Sequence, residues 1–208
     1  KIITRNTRVP EMLAADVDSE IQACLMGANR MGELFEKFGL ETIEQCFQAI
    51  LDKCTQIFKT ELLPKIKNGS YYWEDFVEHD GLTDPKLHKL ALSMRKTEDK
   101  IVLDFNGTDP QAIGPINWPA DYADGKFLIK WIAPILRNLA DTPERAAEIH
   151  CNEGVCEVFE VIFPPKGTLI TPVRPAATNA RSFPLLRSIG LLAGCLAQAV
   201  DGRIPADQ

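Results

Sequence analysis

The sequence predicts an α+β fold: an antiparallel helical hairpin followed by a mainly antiparallel sheet with packing helices. Three observations lead there. The first third of the chain repeats apolar residues at helical spacing, the middle alternates them at strand spacing, and the last segment returns to a long apolar helix. The resulting order, two helices, three strands, then helix, strand and helix, lacks the regular strand–helix alternation of a parallel wind. It divides into a helical hairpin region, residues 1–68, and an α+β region, residues 69–208.

The first helix is expected from Asp16 or Asp18, either of which can accept from the free amides of a first turn. Ile21, Leu25, Ala28, Met31, Leu34, Phe35 and Phe38 mark its apolar face. Gly39 stops it, because glycine enters the left-handed region without strain. A second helix starts near Glu41, with Ile43, Phe47, Ile50, Cys54 and Ile57 on one side and Glu44, Gln45, Lys53 and Lys59 on the other. So short a connection pairs the two helices antiparallel, and Pro64 ends the second. Asn68-Gly69 is a turn. Tyr71, Tyr72, Trp73, Phe76 and Val77 favour a strand. Leu90, Leu92 and Met94 alternate with Lys89, Ser93 and Arg95, a strand wet on one side. The polar loop 97–100 and Ile101-Val102-Leu103 complete a hairpin, and three antiparallel strands end at Phe105. Residues 119–141 read as a helix broken at Pro134, residues 155–163 as a strand, and residues 182–200 as a final helix. Its Gly190, Ala193, Gly194 and Ala197 permit close packing.

The chain has 208 residues and a net charge of −6, with no basic cluster of the kind that marks a nucleic-acid binder. No apolar run approaches the roughly 18 residues of a membrane span, and the start, KIITRNTRVPEM, has no apolar signal core. Cys24, Cys46 and Cys54 fall within helical patterns and read as reduced, buried thiols, which points to a cytoplasmic protein. The chain starts at Lys1 and stops at GRIPADQ, as expected of a portion of a longer polypeptide.

Two loops are chemically unusual. In LDFNGTDPQAIGPIN, residues 103–117, Asp104, Asn106, Thr108 and Asp109 place four oxygen-bearing side chains at a strand exit. Such oxygens hold a hard cation or polar ligand, or satisfy their own backbone in turns. In residues 171–182, Arg174 and Arg181 suit a carboxylate or phosphate, and 179–182 precede a helix whose free amides favour an anion. The competing reading is an N-cap with surface arginines. His150, Cys151 and Cys156 fall short of the four ligands a structural zinc takes, and a turn on Asn152 and Gly154 accounts for the segment. A Cys151–His150 nucleophile is disfavoured, since neighbours on a strand face opposite ways. No Walker A, G-x-G-x-x-G or G-x-S-x-G motif is present.

Together these stretches resemble the hydantoinase B family. DFNGTDPQ followed by GPIN is similar to its DF-S/T-G-T/S-x-PQ…G-x-x-N stretch, EDFVEHDG to its E-D-x-x-D-D-G strand, NEGVCEVFEVIFPPKGTLITPVRPAATNAR to its N-x-G…P-A-A region, and ANRMGELFEKFGLETI to its helical hairpin. The family comprises B-type subunits of ATP-dependent hydantoinases, 5-oxoprolinases, and acetone and acetophenone carboxylases. The resemblance implies a cytoplasmic hetero-oligomer. A hydantoinase A-type ATP-binding subunit phosphorylates the substrate oxygen, and the B-type subunit takes the activated small molecule onward. Also implied are a divalent metal (Mn or Zn) elsewhere in the complex and a further small subunit. No metal ligand carries over, and neither nucleic acid nor membrane is expected as a partner. Residues 178–182 look more like the carboxylase branch than the glycine-rich step of hydantoinases, which favours an ATP-dependent ketone carboxylase. The alternatives are a non-catalytic scaffold segment and a cyclic-amide-opening subunit. The candidate catalytic residues are Asp104, Asp109 and Arg181. The candidate substrate-binding residues are Asn106, Thr108, Asn117, Asn152 and Asn179, all expected to line one pocket.

Overall fold

The computed structural model describes residues 2–82 and 86–200. The chain divides into two compact units, residues 1–49 and 50–208. The first contains α1 (Ile2–Arg5), α2 (Pro10–Phe38) and the start of α3 (Leu40–Ile57). Helix α2 begins before Asp16 and Asp18, with Pro10 in its first turn, so neither aspartate caps it. A proline there sacrifices no hydrogen bond, because first-turn amides have no helical partner. Gly39 ends α2 at a φ of 79°, as its sequence position predicts. The expected stripe-to-stripe packing of a hairpin is not made within the unit. Leu25, Phe35 and Phe38 of α2 and Phe47 of α3 are exposed, and among the described residues of this unit Ile43 alone is buried.

In the second unit α3 runs on through buried Cys54 into a π-helical turn, Phe58–Leu62, and a 3-10 turn, Leu63–Lys65, that contains Pro64. Next come β1 (Gly69–Val77), β2 (His88–Lys96) and β3 (Ile101–Asp104). The expected helix over 119–141 is realised as three pieces. They are a 3-10 turn, Tyr122–Gly125, then α4 (Lys126–Ile132), then a 3-10 stretch, Ala133–Leu139. Ala123 and Asp124 hold positive φ angles of 52° and 54°, which no α-helix continues through. Helix α5 (Pro143–Glu148) and a 3-10 turn, Glu153–Val158, lead into β4 (Phe159–Ile162), so only the second half of the expected strand forms. The last element is α6 (Ser182–Ala199).

The sheet has the order β1-β2-β3-β4; the first three strands are antiparallel and β4 joins β3 in parallel. Leu90, Leu92 and Met94 of β2 are buried on the side of the sheet where α6 packs against β1 and β2, contributing Leu185, Leu191, Leu192, Cys195 and Leu196, and Ile101 and Leu103 of β3 belong to the same core. A Cβ on Gly194 would fall 2.4 Å from the Trp73 ring, so a side chain there has no room. The close approach expected of the small residues in α6 is therefore made against β1. This helix also corrects the expectation about apolar runs. By length and composition it is apolar enough to cross a membrane, though 44% of that stretch is buried inside the protein.

All six cysteines are free. Cys54 is buried as expected, but Cys24 and Cys46 are exposed; Cys195 is buried as well. Burial pushes the Cys195 thiol up to about 12. At Cys151 and Cys156 burial again raises the pKa, so neither has the character of an activated nucleophile.

Candidate functional site

Beyond Asp104 the chain keeps to the edge of β2. Asn106 and Gly107 swing out, with Gly107 at a φ of 94°, and the chain then rejoins the strand. Thr108 Oγ1 accepts from the Ala91 N–H at 3.2 Å. The Asp109 N–H donates to the Lys89 carbonyl at 3.0 Å, and Asp109 Oδ2 accepts from the Lys89 N–H at 2.9 Å. Asp104 Oδ1 accepts from both the backbone and side-chain nitrogens of Asn106, at 2.9 and 2.8 Å. Most of this polar cluster therefore closes turns and extends the strand edge, which is the turn chemistry such residues offer their own backbone.

Farther on, the same stretch meets the 171–182 loop. Asn117 is fully buried between them. Its Oδ1 accepts from the Ala112 N–H at 2.7 Å, and its Nδ2 donates to the carbonyls of Ala112, Gly114 and Ala177 at 2.9–3.0 Å. Two further bonds join the loops. The Ala180 N–H donates to the Pro115 carbonyl at 2.9 Å, and the Val173 N–H donates to Gln111 Oε1 at 2.8 Å. The two stretches singled out in the sequence are thus one structural junction.

Its floor holds a pair that sequence reasoning did not select. Asp80, in EDFVEHDG, is buried; its Oδ2 accepts from the Gly114 N–H at 3.0 Å and its Oδ1 from the Leu82 N–H at 3.1 Å. Gly114 lies so close that a Cβ would fall 2.0 Å from the Asp80 carbonyl oxygen. Buried His88, the first residue of β2, places Nε2 4.0 Å from Asp80 Oδ2, beyond hydrogen-bond range, and that nitrogen has no hydrogen-bond partner among the described residues. Burial pushes the Asp80 carboxyl up. The two amide donors, with His88 and His79 nearby, outweigh that and hold it below the usual carboxylate value. The acidic motif was visible in the sequence, but one sequence does not distinguish a buried aspartate from a solvated one.

The structure separates the expected catalytic trio. Asp109 belongs to the junction. Arg181 is exposed at the start of α6, and neither it nor exposed Arg174 makes an ion pair among the described residues. Asn179 is also exposed on this rim. Asp104 and Asn106 lie elsewhere. Asp104 is opposite Ser93, four residues along β2 from Lys89, or about 13 Å at strand rise. Asn152 is likewise outside the junction. Its Oδ1 accepts from the Gly154 N–H at 2.8 Å and its Nδ2 donates to the Ile50 carbonyl at 3.2 Å, closing the 153–158 turn onto α3. That is the turn expected from Asn152 and Gly154. The single pocket expected around Asp109, Asn152 and Arg181 is not formed by any described cavity.

Among the described residues no group of three or more His, Cys, Asp or Glu side chains is placed to hold a metal. Asp80 and His88 supply two groups, and both Asp80 oxygens already accept amides. The divalent metal that the resemblance implies therefore finds no ligand set among the described residues. The junction combines a buried hydrogen-bonded floor with two exposed guanidinium groups that have no ion-pair partner among the described residues. Guanidinium groups suit anionic oxygen groups chemically.

An α+β unit with this sheet order and these joined loops defines a hydantoinase B-type domain. The Hydantoinase B/oxoprolinase family matches residues 1–208, and the chain belongs to it. A protein named as a B-type subunit of D-/L-hydantoinase, from Pseudomonas sp. (strain NS671), is 27% identical over 99% of this chain and 34% of its own length. Two solved structures share the fold. ATP-dependent caprolactamase from Pseudomonas jessenii superposes with a TM-score of 0.76 at 21% identity, over 97% of this chain and 33% of that one. Nucleotide-free acetone carboxylase gives 0.68 at 16% identity, over 88% of this chain and 24% of that one. The chain thus spans about a third of the length of the curated relative.

Proposed function

We propose that this chain is the portion of a B-type subunit that receives a small molecule activated by phosphorylation on a hydantoinase A-type ATP-binding partner, and carries it onward. The observation that carries the reading is the junction, where Asn117 locks two polar loops and exposed Arg174 and Arg181 have no ion-pair partner among the described residues. Free guanidinium groups fit a phosphorylated oxygen, and the sequence has no nucleotide-binding motif of its own. ATP is therefore assigned to the partner, the divalent metal to another part of the complex, and the assembly to the cytoplasm.

On substrate class, the cyclic-amide branch is the better supported. The relative described above is named for a hydantoinase, and the solved structure with the higher TM-score is a lactamase. In that chemistry the amide oxygen takes the γ-phosphoryl group, water adds at the carbon, the C–N bond breaks to release the amine and leave an acyl phosphate, and a second water hydrolyses that to carboxylate and phosphate. Carboxylation of an activated ketone by bicarbonate-derived CO₂ is the second reading, favoured by Arg181 within residues 178–182 and by the acetone carboxylase fold.

The test is Arg181→Met in the full complex. Loss of transition-state stabilisation at a charged contact lowers substrate-dependent kcat/KM by ~10- to 100-fold, about 1.4–2.7 kcal/mol, with assembly intact and partial recovery in Arg181→Lys. Unchanged turnover in an intact complex rejects the reading in favour of a scaffold role. Parallel assays with a lactam and with a ketone plus bicarbonate separate the branches.

A further inference from the structure

The face of the sheet turned away from α6 carries a second site. Strand register places Ser70, Arg95, Val102 and Glu160 in one row across the four strands, and Tyr72, Ser93, Asp104 and Ile162 in the next. Ser70, Ser93, Arg95, Val102, Asp104 and Ile162 line a cavity of about 320 Å³. Arg95 and Asp104 are diagonal neighbours on this face, with Cβ atoms about 7–8 Å apart. They do not satisfy each other. Arg95 makes no ion pair among the described residues, and Asp104 uses only Oδ1, for the turn at Asn106. The side-chain hydroxyls of Ser70 and Ser93 likewise have no hydrogen-bond partner among the described residues.

We infer that this cavity binds a small zwitterion, a molecule carrying both a carboxylate and a protonated amine. The Arg95 fork fits the carboxylate through two parallel bonds. The free Asp104 oxygen and the Ser93 hydroxyl accept from the ammonium group. Val102 and exposed Ile162 provide a short apolar floor. The volume lies near the lower end of ligand pockets, which selects a small occupant. Opposite charges at the two ends also discriminate: a simple carboxylate leaves Asp104 unpaired, and a simple amine leaves Arg95 unpaired. The inference does not depend on the proposed reaction, although opening a cyclic amide with water does produce both groups in one molecule.

The experiment is calorimetric titration of the full protein, without ATP, using glycine and 4-aminobutyrate, with butyrate and butylamine as single-charge controls. At least one zwitterion binds with Kd below ~1 mM and at least ~10-fold more tightly than either control. Arg95→Gln and Asp104→Asn each weaken it by ~10-fold or more, while Arg95→Lys keeps part of the affinity. An asparagine at 104 still offers an acceptor to the Asn106 turn, and Arg95 is exposed, so neither change removes core packing. The absence of saturable binding up to ~10 mM, butyrate binding as tightly as 4-aminobutyrate, or unchanged affinity in Arg95→Gln each overturns the inference. Because no turnover is measured, failure here leaves the Arg181 test of the reaction untouched.

Discussion

Asn117 shows how one side chain fixes a loop. Its amide engages the backbone of Ala112, Gly114 and Ala177 in a fully buried setting, so removing it strands several polar groups at once. An unpaired buried group costs about 1–3 kcal/mol, and Asn117→Ala is expected to lower unfolding free energy by ~2–4 kcal/mol in urea titration. An effect under ~0.5 kcal/mol removes Asn117 as the lock. Asp80 adds a pH signature. Its folded-state pKa is depressed, so its contribution is fully present above the unfolded aspartate value of about 3.9 and fades as pH falls through the lower folded value. Stability measured from roughly pH 6 down to 3 therefore falls at the acid end, and Asp80→Asn flattens that fall. A slope unchanged in the variant means other carboxylates dominate. Neither role was legible in the sequence. Asn117 read as a substrate-binding candidate, and Asp80 as part of a family pattern, because burial depends on contacts with segments far away in the chain.

Local chemistry and periodicity made most elements legible. The helix stop at Gly39, the break at Pro64, the hairpin over 97–100 and the last helix were all recoverable because each rests on neighbours in sequence. What failed rested on distant partners. The apolar stripe of α2 implied a covering helix, yet Leu25, Phe35 and Phe38 are exposed. The apolar pattern of 119–141 implied a helix with one break, at Pro134, yet Ala123 and Asp124 turn left-handed and add a second. Small residues in α6 correctly signalled close approach, but spacing alone did not say to what. The answer gives a test at this scale. Gly194→Ala drives a methyl into Trp73 and is expected to cost ~1–3 kcal/mol, the usual penalty of overpacking. Adding Trp73→Leu recovers part of that loss, giving a coupling energy of ~0.5–2 kcal/mol in a double-mutant cycle. Strict additivity shows that the helix approaches β1 without the Trp73 contact.

At the scale of the whole molecule, the sequence singled out both polar loops, and the structure joins them. Spacing did not reveal that their oxygens mostly serve the backbone, or that Asp104 and Asn152 lie in other places. What the junction leaves open to a ligand is cationic and exposed, while Asn117 and Asp80, which hold it together, are buried and hydrogen-bonded. In the proposed division of labour, phosphoryl transfer occurs on one polypeptide and consumption of the activated product on another. The two steps then fail separately. If Arg174 and Arg181 hold the activated group, replacing both by Met leaves ATP use running while the intermediate is lost to water before it is carried onward. The ratio of phosphate released to product formed is then expected to rise by ~10-fold or more in the assembled complex, even where total ATP turnover changes less than ~3-fold. The ratio is read from phosphate release and product formation in the same sample. A fall in both by the same factor places the two arginines before the phosphoryl transfer instead, in binding the unactivated substrate or docking the ATP-binding partner.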